Sequence, residues 1–163
     1  LCVVLASQFT LALILAPVAV KLVPERSAAA AWSRTAHACI STPNVGPLAA
    51  LPAGLVFADR DLGPFIAALT PHRVFVAPYH RMDKAIIEAD RLWFGPATSA
   101  EHRLRELGVA HVALCPGLTR TLGRNVPADS LHAMLSAGVV PAFLEPVQLQ
   151  GPTTIRVWRM KRG

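Results

Sequence analysis

Beyond residue 53 the chain alternates short apolar runs with stretches of helical periodicity. "GLVFA" (54–58) is a short apolar run that suits a buried strand. "DLGPFIAAL" (61–69) suits a helix, with Asp61 as its N-cap and Pro64 in the first turn. "HRVFVAP" (72–78) reads as a second strand, and "MDKAIIEADRLWF" (82–94) as a helix closed by Gly95 and Pro96. "TSAEHRLRELG" (98–108) is the clearest helix: Thr98 or Ser99 caps it, Glu101 completes a capping box with Thr98, and Gly108 ends it. "VAHVALCP" (109–116) is a third strand, and "PADSLHAMLSAG" (127–138) a helix from Pro127 to Gly138. "VVPAFLEPVQL" (139–149) and "TTIRVWRMK" (153–161) are two more strands around a turn at Gly151 and Pro152. This order predicts an α/β domain: a small, mostly parallel sheet flanked by helices, with a C-terminal antiparallel hairpin.

The start of the chain is different. Residues 1–20 carry no charge, and Ser7, Gln8 and Thr10 are their only clearly polar members. Twenty residues at about 1.5 Å each span about 30 Å, the thickness of a bilayer's hydrocarbon core. A transmembrane helix over residues 1–23 is therefore expected, and Pro17 is tolerable in one. A signal peptide lacks its basic n-region here and the run is too long for one, although "SAAAAW" (27–32) offers small residues for cleavage. A buried core helix is the third reading. Residues 24–53, rich in Ala, Pro and Ser, read as a connector with a helix near 27–41 and a loop after it; residues 54–163 read as the α/β domain. Because the first residue is Leu, the chain is expected to continue a longer protein.

Composition sharpens this picture. Hydrophobic residues make up 53% and charged ones 16%, and the apolar excess lies largely in the first segment. The net charge of +6 comes from scattered arginines. No stretch interleaves basic and aromatic residues, so nucleic acid is not an expected partner. The charge suits a solvated face near anionic head groups, or a phosphate-bearing ligand. Lys21, Arg26 and Arg34 follow the apolar run closely but do not settle its orientation.

Few motifs carry chemistry. The six histidines do not form H-x-x-x-H, and C-x-x-C is absent, so no metal site is expected. His72 and His80, eight residues apart on a straight strand, would be separated by roughly 26 Å. There is no G-x-S-x-G elbow, P-loop or G-x-G-x-x-G; "PGLTRTLGRN" (116–125) reads as a surface loop or an anion cradle. Cys39 and Cys115 are expected to pair if the domain faces an oxidising space, and to be buried thiols otherwise.

Ligands of open parallel sheets bind outside the carboxyl ends of the strands. Asp61, Leu62 and Gly63 follow the first strand, and Pro78, Tyr79, His80 and Arg81 follow the second. If those strands are parallel neighbours, a carboxylate, a phenol, an imidazole and a guanidinium share one edge and could bind a sugar hydroxyl or a phosphate. The plainer reading has Asp61 capping a helix and Arg81 paired with Asp83 or Asp61. His72 and Arg73, at the other end of the second strand, are weaker candidates for the same substrate-binding role.

These residues carry a family resemblance. "ADRDLGPFIAALTPHRVFVAPYHR" with "TSAEHRLRELGVAHVALCP" resembles the post-membrane region of C-type glycosyltransferases, polytopic enzymes that use lipid-linked sugars and include oligosaccharyltransferase catalytic subunits and bacterial relatives. Asp61, Leu62 and Gly63 fall where the Asp-Tyr-Gly of their Trp-Trp-Asp-Tyr-Gly motif would stand. Both tryptophans are replaced, by Asp59 and Arg60, and the tyrosine is Leu62, so acceptor-peptide recognition is not carried over. The resemblance spans about residues 54–117. It implies a bacterial inner-membrane protein whose domain faces the periplasm, which favours the Cys39–Cys115 disulfide. It also implies that the catalytic acid and any divalent metal lie upstream of Leu1, leaving no cofactor in these residues. The expected partners are the membrane, a lipid-linked sugar and its acceptor, and this part of the protein is not expected to be catalytic alone. The alternative is a non-enzymatic, membrane-anchored envelope module that binds a protein or a lipid head group.

Overall fold

The computed structural model describes residues 33–119 and 125–162. The expected membrane helix (1–23) and residues 120–124 of the Gly- and Arg-containing loop lie outside the described residues. Among the described residues no helix is long and apolar enough to cross a membrane.

The unbroken apolar run Leu55–Ala58 forms strand β1, and its side chains alternate between the two faces of a sheet. Phe57 packs with Trp93, Leu104, Leu131 and Trp158 on one side; Val56 and Ala58 pack with Val45, Leu62, Ile66 and Cys115 on the other. Both faces are covered by helices, which is why the strand carries no polar position. Strands β2 (Arg73–Val74), β3 (Val109–Leu114), β4 (Leu144–Val147) and β5 (Arg156–Met160) complete a five-stranded sheet in the order β2-β1-β3-β5-β4. The β1 strand runs parallel to β2 and β3, whereas β5 is antiparallel to both β3 and β4. The mixed α/β architecture and its closing hairpin follow the expectation from the hydrophobic pattern. Pro146 is accommodated because β4 is an edge strand.

Residues 33–40 are helical (α1), and short helical turns follow at Thr42–Val45 (α2) and Gly46–Ala50, where a loop was expected. Asn44 holds this segment in place. Its side-chain nitrogen donates to the Cys39 carbonyl, its Oδ1 accepts from the Thr154 amide at 2.6 Å, and its own carbonyl accepts from the Thr153 hydroxyl. A disulfide joins Cys39, in α1, to Cys115, just beyond β3, with Cα atoms 5.9 Å apart. The remaining helices are α3 (Gly63–Leu69), α4 (Asp83–Phe94), α5 (Ala97–Glu106) and α6 (Leu131–Ser136).

Several ends differ from expectation. The second strand is two residues long rather than seven; just beyond it the Val76 carbonyl lies against Gly63 of α3. Asp61 does not cap α3; the cap position is Leu62, without a side-chain bond. Helix α5 begins after Pro96 with no capping box, and α6 is capped by the buried Ser130, whose hydroxyl accepts from the Ala133 amide. In the first two cases backbone turns supply the bonds that a side chain was expected to make: Leu62 and Gly63 both donate to the Asp59 carbonyl, and Ser99 and Ala100 to that of Pro96.

Candidate functional site

The connection from β1 to β2 carries α3 on one face, and that from β2 to β3 carries α4 and α5 on the other. The chain therefore departs to opposite faces from the carboxyl ends of the neighbouring parallel strands β1 and β2. The residues that follow β1 and β3 meet α4 at this carboxyl edge, where ligands of α/β sheets bind. Here lies a small cleft of about 30 Å³, lined by Asp59, Asp61, Thr119, Asp90, Trp93 and Phe94 among others. That volume holds about one water molecule or one hydroxyl group.

Asp59 is the centre of the cleft. It follows the last residue of β1 and is 7% exposed. Its Oδ1 accepts from the Asp61 amide at 2.8 Å, so the side chain itself shapes the turn into α3. Burial holds the Asp59 carboxyl above the usual value, and the nearby Asp61 charge adds to this; the Asp61 amide, the Thr119 hydroxyl and Arg60 act against it. Thr119 Oγ1 lies close enough to favour the carboxylate, yet it forms no hydrogen bond of good geometry among the described residues. The Trp93 Nε1–H is also buried without an acceptor, on a residue 3% exposed. The half-buried His132 stands edge-on to Trp93, with ring centroids 6.2 Å apart, and leans on Phe94 at 5.5 Å. Burial lowers its pKa, while the charge of Asp59 raises it.

Asp59, Trp93 and Thr119 thus border one space of one-hydroxyl size, and the Trp93 Nε1–H beside it is buried without an acceptor. The carboxylates of Asp59 and Asp61 offer acceptors to a single neutral hydroxyl in that space. Among the described residues no three His, Cys, Asp or Glu side chains are grouped to hold a metal ion.

The residues expected at the site are distributed differently. Asp61 lines the cleft. Tyr79, His80 and Arg81 follow the neighbouring parallel strand, as anticipated, but they are exposed and do not line it. His72 is inside the fold: its Nδ1 accepts from the Gly54 amide and its Nε2 bonds the Leu48 carbonyl, which leaves neither ring nitrogen for a ligand. Arg73 is exposed near the amino end of the sheet, away from the cleft. Sequence reasoning passed over Asp59, Trp93, Thr119 and His132. The one available signal was a charged residue directly ending a fully apolar strand.

No family model matches the chain, and no curated protein matches it. Among solved structures, it is similar to the C-terminal globular domain of an oligosaccharyltransferase from Archaeoglobus fulgidus. The TM-score is 0.51 at 11% identity, over 69% of this chain and 88% of that one. The likeness is one of fold, and at that level it agrees with the family resemblance of residues 54–117.

Proposed function

We propose that this chain belongs to a bacterial glycosyltransferase-like membrane protein. In this reading residues 1–23 anchor it, residues 54–163 face the periplasm, and transfer of sugar from a lipid-phosphate carrier is catalysed by residues, and any divalent metal, upstream of Leu1. The α/β domain holds part of the acceptor or carrier, with Asp59 and Asp61 accepting from a hydroxyl and Trp93 donating to it. Tyr79, His80 and Arg81 take no part in that contact. The observation that supports the reading is the fold shared with an oligosaccharyltransferase C-terminal domain. The disulfide between Cys39 and Cys115 suits an oxidising compartment.

The test is a transfer assay on the full-length protein in membranes. Asp59→Asn should lower transfer by about tenfold to a hundredfold, the range for losing a hydrogen bond to a charged group, at unchanged protein level. Unchanged transfer would favour the second reading, an envelope module without transfer activity. That reading draws on the exposed basic stripe that begins at His80.

A further inference from the structure

The "PYHR" segment, left out of the cleft, leads directly into another surface. His80–Met82 form a single helical turn that runs into α4. Lys84, Ile87 and Arg91 follow at helical spacing, so that they share one outward face of α4. All three are exposed, as are Tyr79, His80 and Arg81. Tyr79 and Ile87 are 58% and 52% exposed, two of the four large apolar side chains left in solvent among the described residues. Between α4 and α5 this face opens into a groove of about 590 Å³, floored by Ile87 and Leu92 and edged by Lys84, Arg91 and Arg103. Arg103 is already neutralised: it pairs with Glu88 at 2.5 Å and with Glu106 at 3.0 Å. Arg81, Lys84 and Arg91 have no such partner in the described structure, and Asp83 is the one exposed acid beside them.

We propose that this face rests on an anionic lipid surface. An isoleucine projecting among cations, with an exposed tyrosine at the start of the segment, is the composition of an interfacial contact: the apolar groups enter the head-group boundary while arginine and lysine meet phosphates. Charge complementarity selects an anionic bilayer over a neutral one. The uncharged apolar run of residues 1–20 has the length to place the chain at a membrane in the first place. The contact is independent of the cleft, since none of its residues lines it.

Residues 33–163 suffice for the experiment, because all five strands, both apolar clusters and the disulfide lie within them. Partition onto vesicles of mixed phosphatidylglycerol and phosphatidylcholine is measured by co-sedimentation, beside phosphatidylcholine alone. Binding should require the anionic lipid and weaken with salt. Each cation removed should cost about fivefold in partition, so Arg81→Gln, Lys84→Gln and Arg91→Gln together should lower it by about a hundredfold. Ile87→Ser should lower it less. A control with Arg73→Gln, Arg156→Gln and Arg162→Gln makes the same change in net charge on exposed positions elsewhere and should retain most of the binding. Equal losses in the two triple variants would overturn the assignment, because net charge alone would then explain binding. Equal partition onto neutral vesicles would overturn it as well. So would capture of polyglutamate without vesicle binding, which would assign the face to an acidic protein.

Discussion

Gly63 stands so close to Val76 that a methyl group on its α-carbon would lie 2.1 Å from the Val76 carbonyl oxygen. The first turn of α3 is thereby packed against the chain leaving β2. Gly63→Ala must push two backbone segments apart. A loss of about 3 kcal/mol is expected, read as a lower urea midpoint at unchanged slope. A midpoint within error of the parent would show that the two segments slide freely.

The disulfide supplies a second test. Cys39 and Cys115 close a loop with a sequence separation of 76 residues, and restricting an unfolded chain over such a span contributes about 4.5 kcal/mol in the chain-entropy description. Reduction, or Cys39→Ala with Cys115→Ala, should lower the urea midpoint accordingly. The fold should survive this, because Asn44 ties the same segment to Thr153 and Thr154 through bonds that need no sulfur.

Much of this fold was legible from the chain. The run Leu55–Ala58 announces a strand buried on both faces, and Gly108 and Gly138 mark helix ends with the positive φ angles they adopt, 69° and 81°. Local pattern could not show that Gly63 would meet Val76, because that contact joins residues from different elements. The candidate site was hidden for a similar cause. Trp93 reads as one more apolar position of a helix, and only the packed structure shows its indole N–H facing no acceptor. Asp59 stood out only as a replacement for a motif tryptophan, and its burial at the end of β1 shows only in the packed structure. His72 drew attention as a possible ligand because the sequence cannot show that Gly54 and Leu48 occupy both its nitrogens.

Acid should weaken the fold through His111. This buried ring, in edge contact with His72 at 5.5 Å, has no hydrogen-bond partner for Nδ1 among the described residues. Burial lowers its pKa, and His72 and Arg159 lower it further. A histidine whose folded pKa is depressed gives full stability above its unfolded value, about 6.5, and loses it as pH falls through that region. His132, also depressed by burial, adds in the same direction. Asp59 has the opposite sign: with its pKa raised, it contributes most when protonated and loses that contribution as pH rises from its unfolded value of 3.8. As pH falls from about 7.5 to about 5.5, the histidine contribution should be lost. Urea midpoints across that range should flatten in His111→Leu relative to the parent, and an equal slope in the two proteins would remove His111 from the account.

The central claim is that Asp59 and Trp93 hold a hydroxyl at the carboxyl end of β1. It is tested most directly by nitrogen-15 NMR of the indole N–H groups, with residues 33–163 titrated by a polyprenyl-phosphate-linked sugar in detergent. The account predicts that the Trp93 resonance moves on titration, that the Trp158 resonance stays in place, and that Asp59→Asn abolishes the movement. A Trp93 resonance unmoved at saturating ligand, or one that moves equally in Asp59→Asn, would contradict it.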